Sequence, residues 1–321
     1  MAPQPVLALP SARLARELAQ SALDAGLREG HLERIGYGAY LPPPGAHGSS
    51  SGASGASSGD EYAAARTRAL ARIDALARQS HADIVVSHTS AALLWGLTLW
   101  ATPTTTHVTQ RSRPGAERDR MVARHVRPLP PESITTIHGV PVTSLARTVV
   151  DCATLLPPLA GLVTADSACA AGVDQDEVAE LLAASVGARH IRRARAVLAH
   201  ADPGAESAYE SASRFVVLRD GLPVPQTQVP VETHVGTVWS DWGWPEFRLL
   251  AEYDGEGKYM ADPDGSFVAE KRRHDALQEA GHHVVRVTKH DLRGTALSTR
   301  LLLHLPPSVR HTLTPRRDLT T

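Results

Sequence analysis

The chain has 321 residues, more than a typical single hydrophobic core holds, which favours two or three domains. Its 33 lysines and arginines nearly balance 34 aspartates and glutamates, so any surface for nucleic acid must be local rather than a property of the whole chain. Two cysteines are too few for a disulfide framework or a zinc cluster, and no run of about 18 apolar residues or export signal is present. The composition therefore predicts a cytoplasmic protein without a membrane segment.

The first 44 residues predict a helix and a small hairpin. Ser21 is the expected N-cap and Gly30 the stop of the helix, and alternating residues around two glycines follow. We interpret residues 1–44 as a winged-helix-like segment. The next stretch, 45–60, contains the run "GSSSGASGASSG", which has too little apolar surface to offset its ordering entropy and is predicted to be a flexible linker.

Residues 61–201 predict a mixed α/β middle domain. A helix is expected from about Glu61 to Gln79, then a short strand at 84–87, a helix, and a strand at "THVTQRS". Another extended segment leads into a helix capped by Thr143 or Ser144, and a helical stretch from Leu159 to about His200 completes the domain.

Residues 202–307 predict a second α/β domain, with 308–321 as a tail. The expected order is a helix ending at Gly221, three strands joined by short turns, a helix ending at Gly281, and a final strand. Three antiparallel strands and a crossover to a fourth give a mixed sheet flanked by helices. The fold class predicted for the whole chain is α/β of the α+β kind.

Acidic residues interrupt two of these strands in "SDWGWPEFRLLAEYDGEGKY", residues 240–259. A hairpin would bring Asp241 and Glu252 into cross-strand register, where two carboxylates could hold Mg²⁺ or Mn²⁺. Such an ion would polarise a phosphodiester and lower the pKa of bound water. Asp254 is a third candidate ligand.

Three acids, including Glu210 on the preceding predicted helix, also have an ordinary structural explanation, whereas Asp241, between two tryptophans, is harder to explain in this way. Glu210 could form surface pairs with its helical neighbours, Glu252 could lie at a solvated strand edge, and Asp254 could cap the turn "DGEG". His88 and His107 are not accompanied in the sequence by other residues whose type and spacing would indicate a functional site.

The segments "ESASR", "DWGWPEFRLLAEYDG" and "EKRRHDALQEAGHHVVRVTKHDL" resemble the PD-(D/E)XK restriction-endonuclease-like core, and more narrowly the very-short-patch-repair-like endonuclease domains of actinobacterial proteins. Those actinobacterial proteins often carry an N-terminal winged-helix segment similar to AbiEi-type antitoxins, and the middle strings "VVSHTSAALLWGL" and "GVPVTSLARTVVD" are similar to that family as well. This double resemblance covers most of the chain outside the linker.

The nuclease resemblance implies a role for each acid. Glu210 would be the auxiliary helix acid, and Asp241 and Glu252 would be the metal ligands, while Asp254 occupies the place of the lysine that the wider superfamily uses. That lysine is expected to orient the attacking water and stabilise developing negative charge. Lys258 or Lys271 would have to replace it.

Two sets of cations are candidate DNA contacts. Lys271, Arg272 and Arg273 lie together on a predicted helix near the acids, where they could contact phosphates. Arg28 and Arg34 belong to the predicted helix and wing of the N-terminal segment, which could equally serve packing or dimerisation.

Two functions follow from these patterns. The first is a Mg²⁺-dependent endonuclease that hydrolyses DNA phosphodiesters. The alternative is a non-catalytic AbiEi-like antitoxin or transcriptional regulator that binds DNA, has a cognate toxin as partner, and retains a degenerate nuclease fold. The sequence predicts no particular oligomeric state.

Overall fold

The computed structural model describes residues 4–6, 8–43, 58–80, 82–112, 119–254 and 265–320. Most of the predicted linker, residues 45–57, lies outside this described part, as does Lys258. The helices are α1 (Gln20–Arg28), α2 (Ser58–Gln79), α3 (His88–Leu94), α4 (Leu145–Leu155), α5 (Pro158–Ala170), α6 (Gln175–Ala184), α7 (Ile191–Leu198), α8 (Ala208–Arg219), α9 (Gly265–Glu279), α10 (Ala296–Leu302) and α11 (Pro307–Arg310). The strands are β1 (Arg13–Leu14), β2 (Glu33–Gly36), β3 (Ala39–Leu41), β4 (Val85–Val86), β5 (Thr106–Gln110), β6 (Val122–Val126), β7 (Ile134–Ile137), β8 (Val140–Thr143), β9 (Gln226–Thr233), β10 (Gly236–Trp244), β11 (Leu249–Tyr253) and β12 (His283–Val287).

The predicted mixed α/β fold class is confirmed, since both helices and mixed sheets occur. The chain divides into two compact units, which differ from the predicted segments in their boundaries. We call Pro3–Leu155 with Val173–Ser185 the N-terminal unit, and Leu156–Gly172 with Val186–Thr321 the C-terminal unit. The finer five-part division remains a prediction.

The N-terminal unit contains two sheets. The first has the order β1-β3-β2 with antiparallel pairing, and α2 packs on it through Ala71 and Ala75. Helix α1 begins at Gln20 with Ala19 as its N-cap, so the predicted N-cap at Ser21 is wrong by two positions. Gly30 has the expected left-handed conformation just after the helix, at φ +71°.

The second sheet of this unit has the order β6-β5-β4-β8-β7. Its β5–β6 and β4–β8 pairs are parallel and its other two pairs are antiparallel. Central valines of three neighbouring strands, Val86, Val108 and Val142, are buried. Ser144 accepts a hydrogen bond from the Arg147 backbone N–H at 3.2 Å, which confirms it as a cap of α4.

The C-terminal unit is built on the mixed sheet β12-β11-β10-β9. Strands β9, β10 and β11 pair antiparallel and β12 joins β11 in parallel, in agreement with the predicted strand order. Trp242 and Trp244 are both 1% exposed, and their indole rings meet edge to face at 5.7 Å. Trp242 Nε1 donates to Ser213 Oγ at 2.9 Å, which ties β10 to α8.

The predicted helical stretch from Leu159 to about His200 contains three helices, α5, α6 and α7. Within the described ranges, no helix combines the length and apolar character needed to cross a membrane.

Candidate functional site

Asp241 and Glu252 meet across the β10–β11 pair of the C-terminal unit. Trp242 pairs with Ala251, so Asp241 and Glu252 are the next residues on the two antiparallel strands. Asp241 Oδ2 accepts a hydrogen bond from the backbone N–H of Tyr253 at 2.7 Å. The hairpin brings the two acids together as the spacing predicts.

Glu210 lies on the first turn of α8, whose N-cap is Ser207. Its Oε2 accepts a hydrogen bond from the Glu206 backbone N–H at 2.8 Å, so the side chain folds back over the start of the helix. Burial raises the pKa of Glu210, and the nearby charge of Asp241 raises it further. Glu210 therefore lies near enough to Asp241 for the charge of that acid to affect its pKa.

Glu252 is the most deeply buried of the three acids, at 4% exposure. Its Oε1 accepts a hydrogen bond from the guanidinium of Arg273 on α9. Burial raises the pKa of Glu252 to about 7, the Arg273 charge opposes that shift, and the Asp241 charge adds to it. A carboxylate in this state gains or loses its proton near neutral pH.

Two arginines contact acids of this region, Arg273 with Glu252 and Arg286 with Asp254 and Glu270. Arg286 on β12 lies 3.1 Å from Asp254 Oδ2 and 3.0 Å from Glu270 Oε1. Arg273, for which the sequence predicts a phosphate contact, donates instead to Glu252. Lys271 and Arg272 are exposed on α9.

The sequence reasoning missed Glu270 and Arg286 as members of this cluster. Arg286 is a charged residue in the largely apolar strand β12. An isolated charge of this kind is the sequence feature that could have identified it. Glu252 and Arg286 are register partners in the β11–β12 pair. Glu270 belongs to the run "EKRRH", whose cations indicated a phosphate contact rather than an acidic cluster.

The acids of this cluster are of the chemical type that binds hard divalent cations, although among the described residues the three-ligand grouping close enough for one ion consists of histidines and not of these carboxylates. Asp241, Glu252 and Glu210 supply oxygen donors of the kind that Mg²⁺ prefers. The second oxygen of Glu252, Oε2, is buried and has no hydrogen-bond partner among the described residues, so it retains a lone pair for another ligand. Asp241 and Glu252 would hold the ion, and the ion would activate water and polarise a phosphodiester.

A basic cleft of about 770 Å³ lies in the N-terminal unit. It is bounded by the β2–β3 hairpin, one face of α2 and the residues around β6. Arg34, Arg72, Arg120 and Arg124 line it together with one acid, Asp119. The cleft thus concentrates positive charge next to the β2–β3 hairpin, although the whole chain is nearly neutral. The other predicted N-terminal contact, Arg28, is exposed at the end of α1.

A third cluster, not predicted from the sequence, consists of His88, His107 and His125 in the N-terminal unit. One ligand nitrogen of each lies within 4.8 Å of the other two. His107 and His125 stand on the neighbouring parallel strands β5 and β6, and His88 begins α3 just after β4. Strand β6 was missed because a charged segment precedes it, so His125 could not be placed beside the other two.

The environment of these histidines favours their neutral forms. Burial is the largest cause that lowers the pKa of His88, and the charges of neighbouring histidines and arginines add to it. Burial also lowers the pKa of His107, to about 4, and lowers that of His125. All three imidazoles are therefore expected to be neutral at physiological pH.

The family comparison concerns the segment that contains these histidines. Residues 81–200 match the AbiEi antitoxin C-terminal domain. This finding supports the antitoxin part of the resemblance drawn from the sequence, while no comparison supports the PD-(D/E)XK part. The matched segment contributes β4–β8, α3, α4 and α6 to the N-terminal unit, and α5 and α7 to the C-terminal unit.

Two relatives are uncharacterized proteins of Mycobacterium tuberculosis. MT2308 of strain CDC 1551 and Rv2248 of strain H37Rv are each 36% identical to this chain over 177 residues, or 53% of it. The chain spans 63% of the length of these curated relatives. The crystal structure of RV2827C protein from the same species aligns with 59% of this chain and 72% of its own, at 18% identity and a TM-score of 0.35.

Proposed function

We propose that this protein is an AbiEi-like antitoxin that binds DNA and has a cognate toxin as its partner. The observation that carries this proposal is the match of residues 81–200 to the AbiEi antitoxin C-terminal domain. An antitoxin of this kind would act by binding, and needs no reaction in the C-terminal unit.

The basic cleft supports a DNA-binding surface in the N-terminal unit. Arg34 on β2 and Arg120 next to β6 are exposed arginines that line it, and the exposed Tyr37 lies at the tip of the wing. Guanidinium groups bind phosphate oxygens well, and a wing beside a positive cleft can follow a DNA backbone. Arg28 at the end of α1 would extend this surface.

A binding experiment with the full chain tests this proposal. A selection from random duplex DNA in the presence of EDTA should yield a preferred sequence, because the proposed recognition does not use a metal ion. The variant Arg34→Ala/Arg120→Ala should bind the selected duplex at least tenfold more weakly, whereas Arg317→Ala, an exposed arginine of the C-terminal unit, should bind like the wild type. Failure to select any duplex, or equal binding by both variants, would contradict the proposed DNA surface.

The toxin part of the proposal has its own experiment. Genes adjacent to the coding sequence are expressed alone and together with this chain, and cell growth is measured. Growth arrest by a neighbouring gene that this chain relieves would support the antitoxin role. An absence of any neighbour whose toxicity the chain relieves would count against it.

A second candidate function is a Mg²⁺- or Mn²⁺-dependent endonuclease in the C-terminal unit. It is favoured by one observation, the convergence of Asp241 and Glu252 with an unpartnered Glu252 oxygen among the described residues. The arginines on Glu252 and Asp254 could take the part of the missing lysine by stabilising charge. Incubation with duplex, mismatched and single-stranded DNA and either ion tests it, and no cleavage of any of the three would count against it.

A further inference from the structure

We propose that His88, His107 and His125 form a binding site for one divalent transition-metal ion, with Zn²⁺ as the ion that fits, and that Asp151 supports this site. The inference concerns a different part of the chain from the acidic cluster and does not depend on the antitoxin role. It rests on the geometry of four side chains of the N-terminal unit.

The spacing of the imidazoles is close to that of a metal site. In a tetrahedral zinc site with Zn–N bonds of about 2.0–2.1 Å, ligand nitrogens lie about 3.3 Å apart. His107 Nδ1 and His125 Nε2 are 3.0 Å apart, and the ligand atoms of all three lie within 4.8 Å of one another. The 3.0 Å contact is a hydrogen bond between two rings, and the rings of His88 and His125 are stacked with their centroids 3.7 Å apart. Metal binding would therefore break that hydrogen bond and rotate the rings until their in-plane lone pairs point at one ion.

Hydrogen bonds to the backbone connect the segments that carry His88 and His107. The Ser87 N–H donates to the His107 carbonyl at 3.0 Å, and the His107 N–H donates to Ser90 Oγ at 2.9 Å. His88 itself adopts a left-handed backbone conformation at φ 53°. A non-glycine residue in that region is strained, and such strain concentrates at functional sites.

Asp151 on α4 has the position of a supporting carboxylate. Its Oδ2 lies 4.0 Å from His88 Nδ1, is buried, and has no hydrogen-bond partner among the described residues. In metal sites, a ligating histidine commonly directs its second nitrogen to a carboxylate, which orients the ring. Here Nδ1 of His88 also lies 2.9 Å from Ser87 Oγ, which leaves Nε2 as the nitrogen for a metal.

The charges around the cluster set its affinity. Arg127 and Arg147 both contact Oδ1 of Asp151, so two guanidiniums and one carboxylate face the three imidazoles. The additional positive charge opposes the binding of a cation. Both guanidiniums contact Oδ1, so neither of them occupies Oδ2, the oxygen that lies 4.0 Å from His88 Nδ1. Imidazole nitrogen is a good ligand for Zn²⁺ and a poor one for Mg²⁺, so the site should discriminate strongly between these ions.

Three protein ligands leave room in a zinc coordination sphere for a fourth, exchangeable ligand such as water. His107 and His125 are only partly buried, whereas His88 is 4% exposed. A small ligand could therefore reach the metal from the side of the β5 and β6 histidines. This arrangement is that of an accessible site rather than a closed structural one.

Metal content of the full chain tests the proposal. Protein stripped with EDTA and then equilibrated with Zn²⁺ should retain about one ion per chain, and Mg²⁺ should neither bind there nor compete. His107→Gln and His125→Gln should each lower the Zn²⁺ affinity at least tenfold, while His290→Gln, an exposed histidine of the C-terminal unit, should not. Asp151→Asn should lower it by about 10- to 100-fold, as supporting carboxylates do.

Two further measurements separate loss of a ligand from loss of the fold. Far-UV circular dichroism establishes that each variant is folded, and Co²⁺ bound to the wild type should give the intense visible absorption of a tetrahedral site. Substoichiometric Zn²⁺ in the wild type, or folded His107 and His125 variants that bind like the His290 control, would overturn the proposal.

Discussion

The guanidinium of Arg273 donates to Oε1 of Glu252, whereas the second oxygen of that carboxylate is buried and has no hydrogen-bond partner in the described residues. The pair joins α9 to β11 in the C-terminal unit, beside Asp241. One oxygen of Glu252 is therefore paired with an arginine, and the other can still bind a proton or a cation. Binding of a proton and binding of a cation can each be measured.

The first prediction concerns pH. Because the pKa of Glu252 is raised to about 7 in the folded chain, mainly by burial, the folded state binds a proton that the unfolded state releases at lower pH. The free energy of unfolding of the wild type, relative to Glu252→Gln, should therefore fall as pH rises from about 5 to about 7, by at most about 1.4 kcal/mol per pH unit, and should level off above that range. Urea unfolding of both proteins across this range measures the difference. A flat difference would show that Glu252 titrates normally.

The second prediction concerns catalysis in the C-terminal unit. If the unit is an endonuclease, Mg²⁺ or Mn²⁺ should support cleavage of a labelled DNA substrate, and Asp241→Asn should reduce the rate by at least a hundredfold, because a metal ligand is lost. Asp275→Asn changes an exposed acid on α9 and should leave the rate unchanged. Equal rates for the two variants would assign any observed cleavage to a contaminant.

The third prediction concerns the salt dependence of DNA binding. Each phosphate contact contributes about 0.9 to the slope of log affinity against log salt concentration. Removing Arg34 or Arg120 singly should therefore lower that slope by about 1 and weaken binding to all duplexes nearly equally. Fluorescence anisotropy titrations at several salt concentrations provide the slope. A single-arginine variant with the wild-type slope would remove that residue from the interface.

The fourth prediction concerns stability. Asp166 on α5 and Arg214 on α8 are 1% and 2% exposed and form an ion pair at 2.6 Å, and Asp166 Oδ1 also accepts from the Asp202 backbone N–H at 2.9 Å. Asp166→Ala would leave the guanidinium buried and unpaired, which should cost about 3–5 kcal/mol of stability. Asp318→Ala, at an exposed position, should cost less than about 0.5 kcal/mol.

The midpoint of urea unfolding, followed by tryptophan fluorescence, compares the Asp166 and Asp318 variants. Trp242 and Trp244 are buried in the same unit as the ion pair, so their emission reports on its unfolding. A loss below about 1 kcal/mol for Asp166→Ala would mean that water or another acid satisfies Arg214.

Local patterns predicted the C-terminal sheet well. The helix, three strands, helix and strand of residues 202–307 were expected in that order because the apolar periodicity there is strong and the turns carry glycine and proline. A hairpin sets cross-strand register over a short chain distance, so the proximity of Asp241 and Glu252 also followed from the sequence.

Long-range pairing was not predictable in the same way. Strands β6 and β7 were not anticipated, since β6 follows a charged segment and β7 is partly exposed. The choice of arginines as partners of the acids depends on how α9 and β12 return to β11.

The sequence by itself determined the fold class, the strand order of the C-terminal unit and the pairing of two carboxylates, because these depend on side-chain periodicity and short turns. Only the tertiary structure brought His88, His107 and His125 together, from three elements separated by up to 37 residues. Parallel pairing of β5 and β6 and the packing of α3 beside them depend on burial in a common core. Residue spacing along the chain carries no direct record of those contacts, so a site assembled from them becomes visible only after folding.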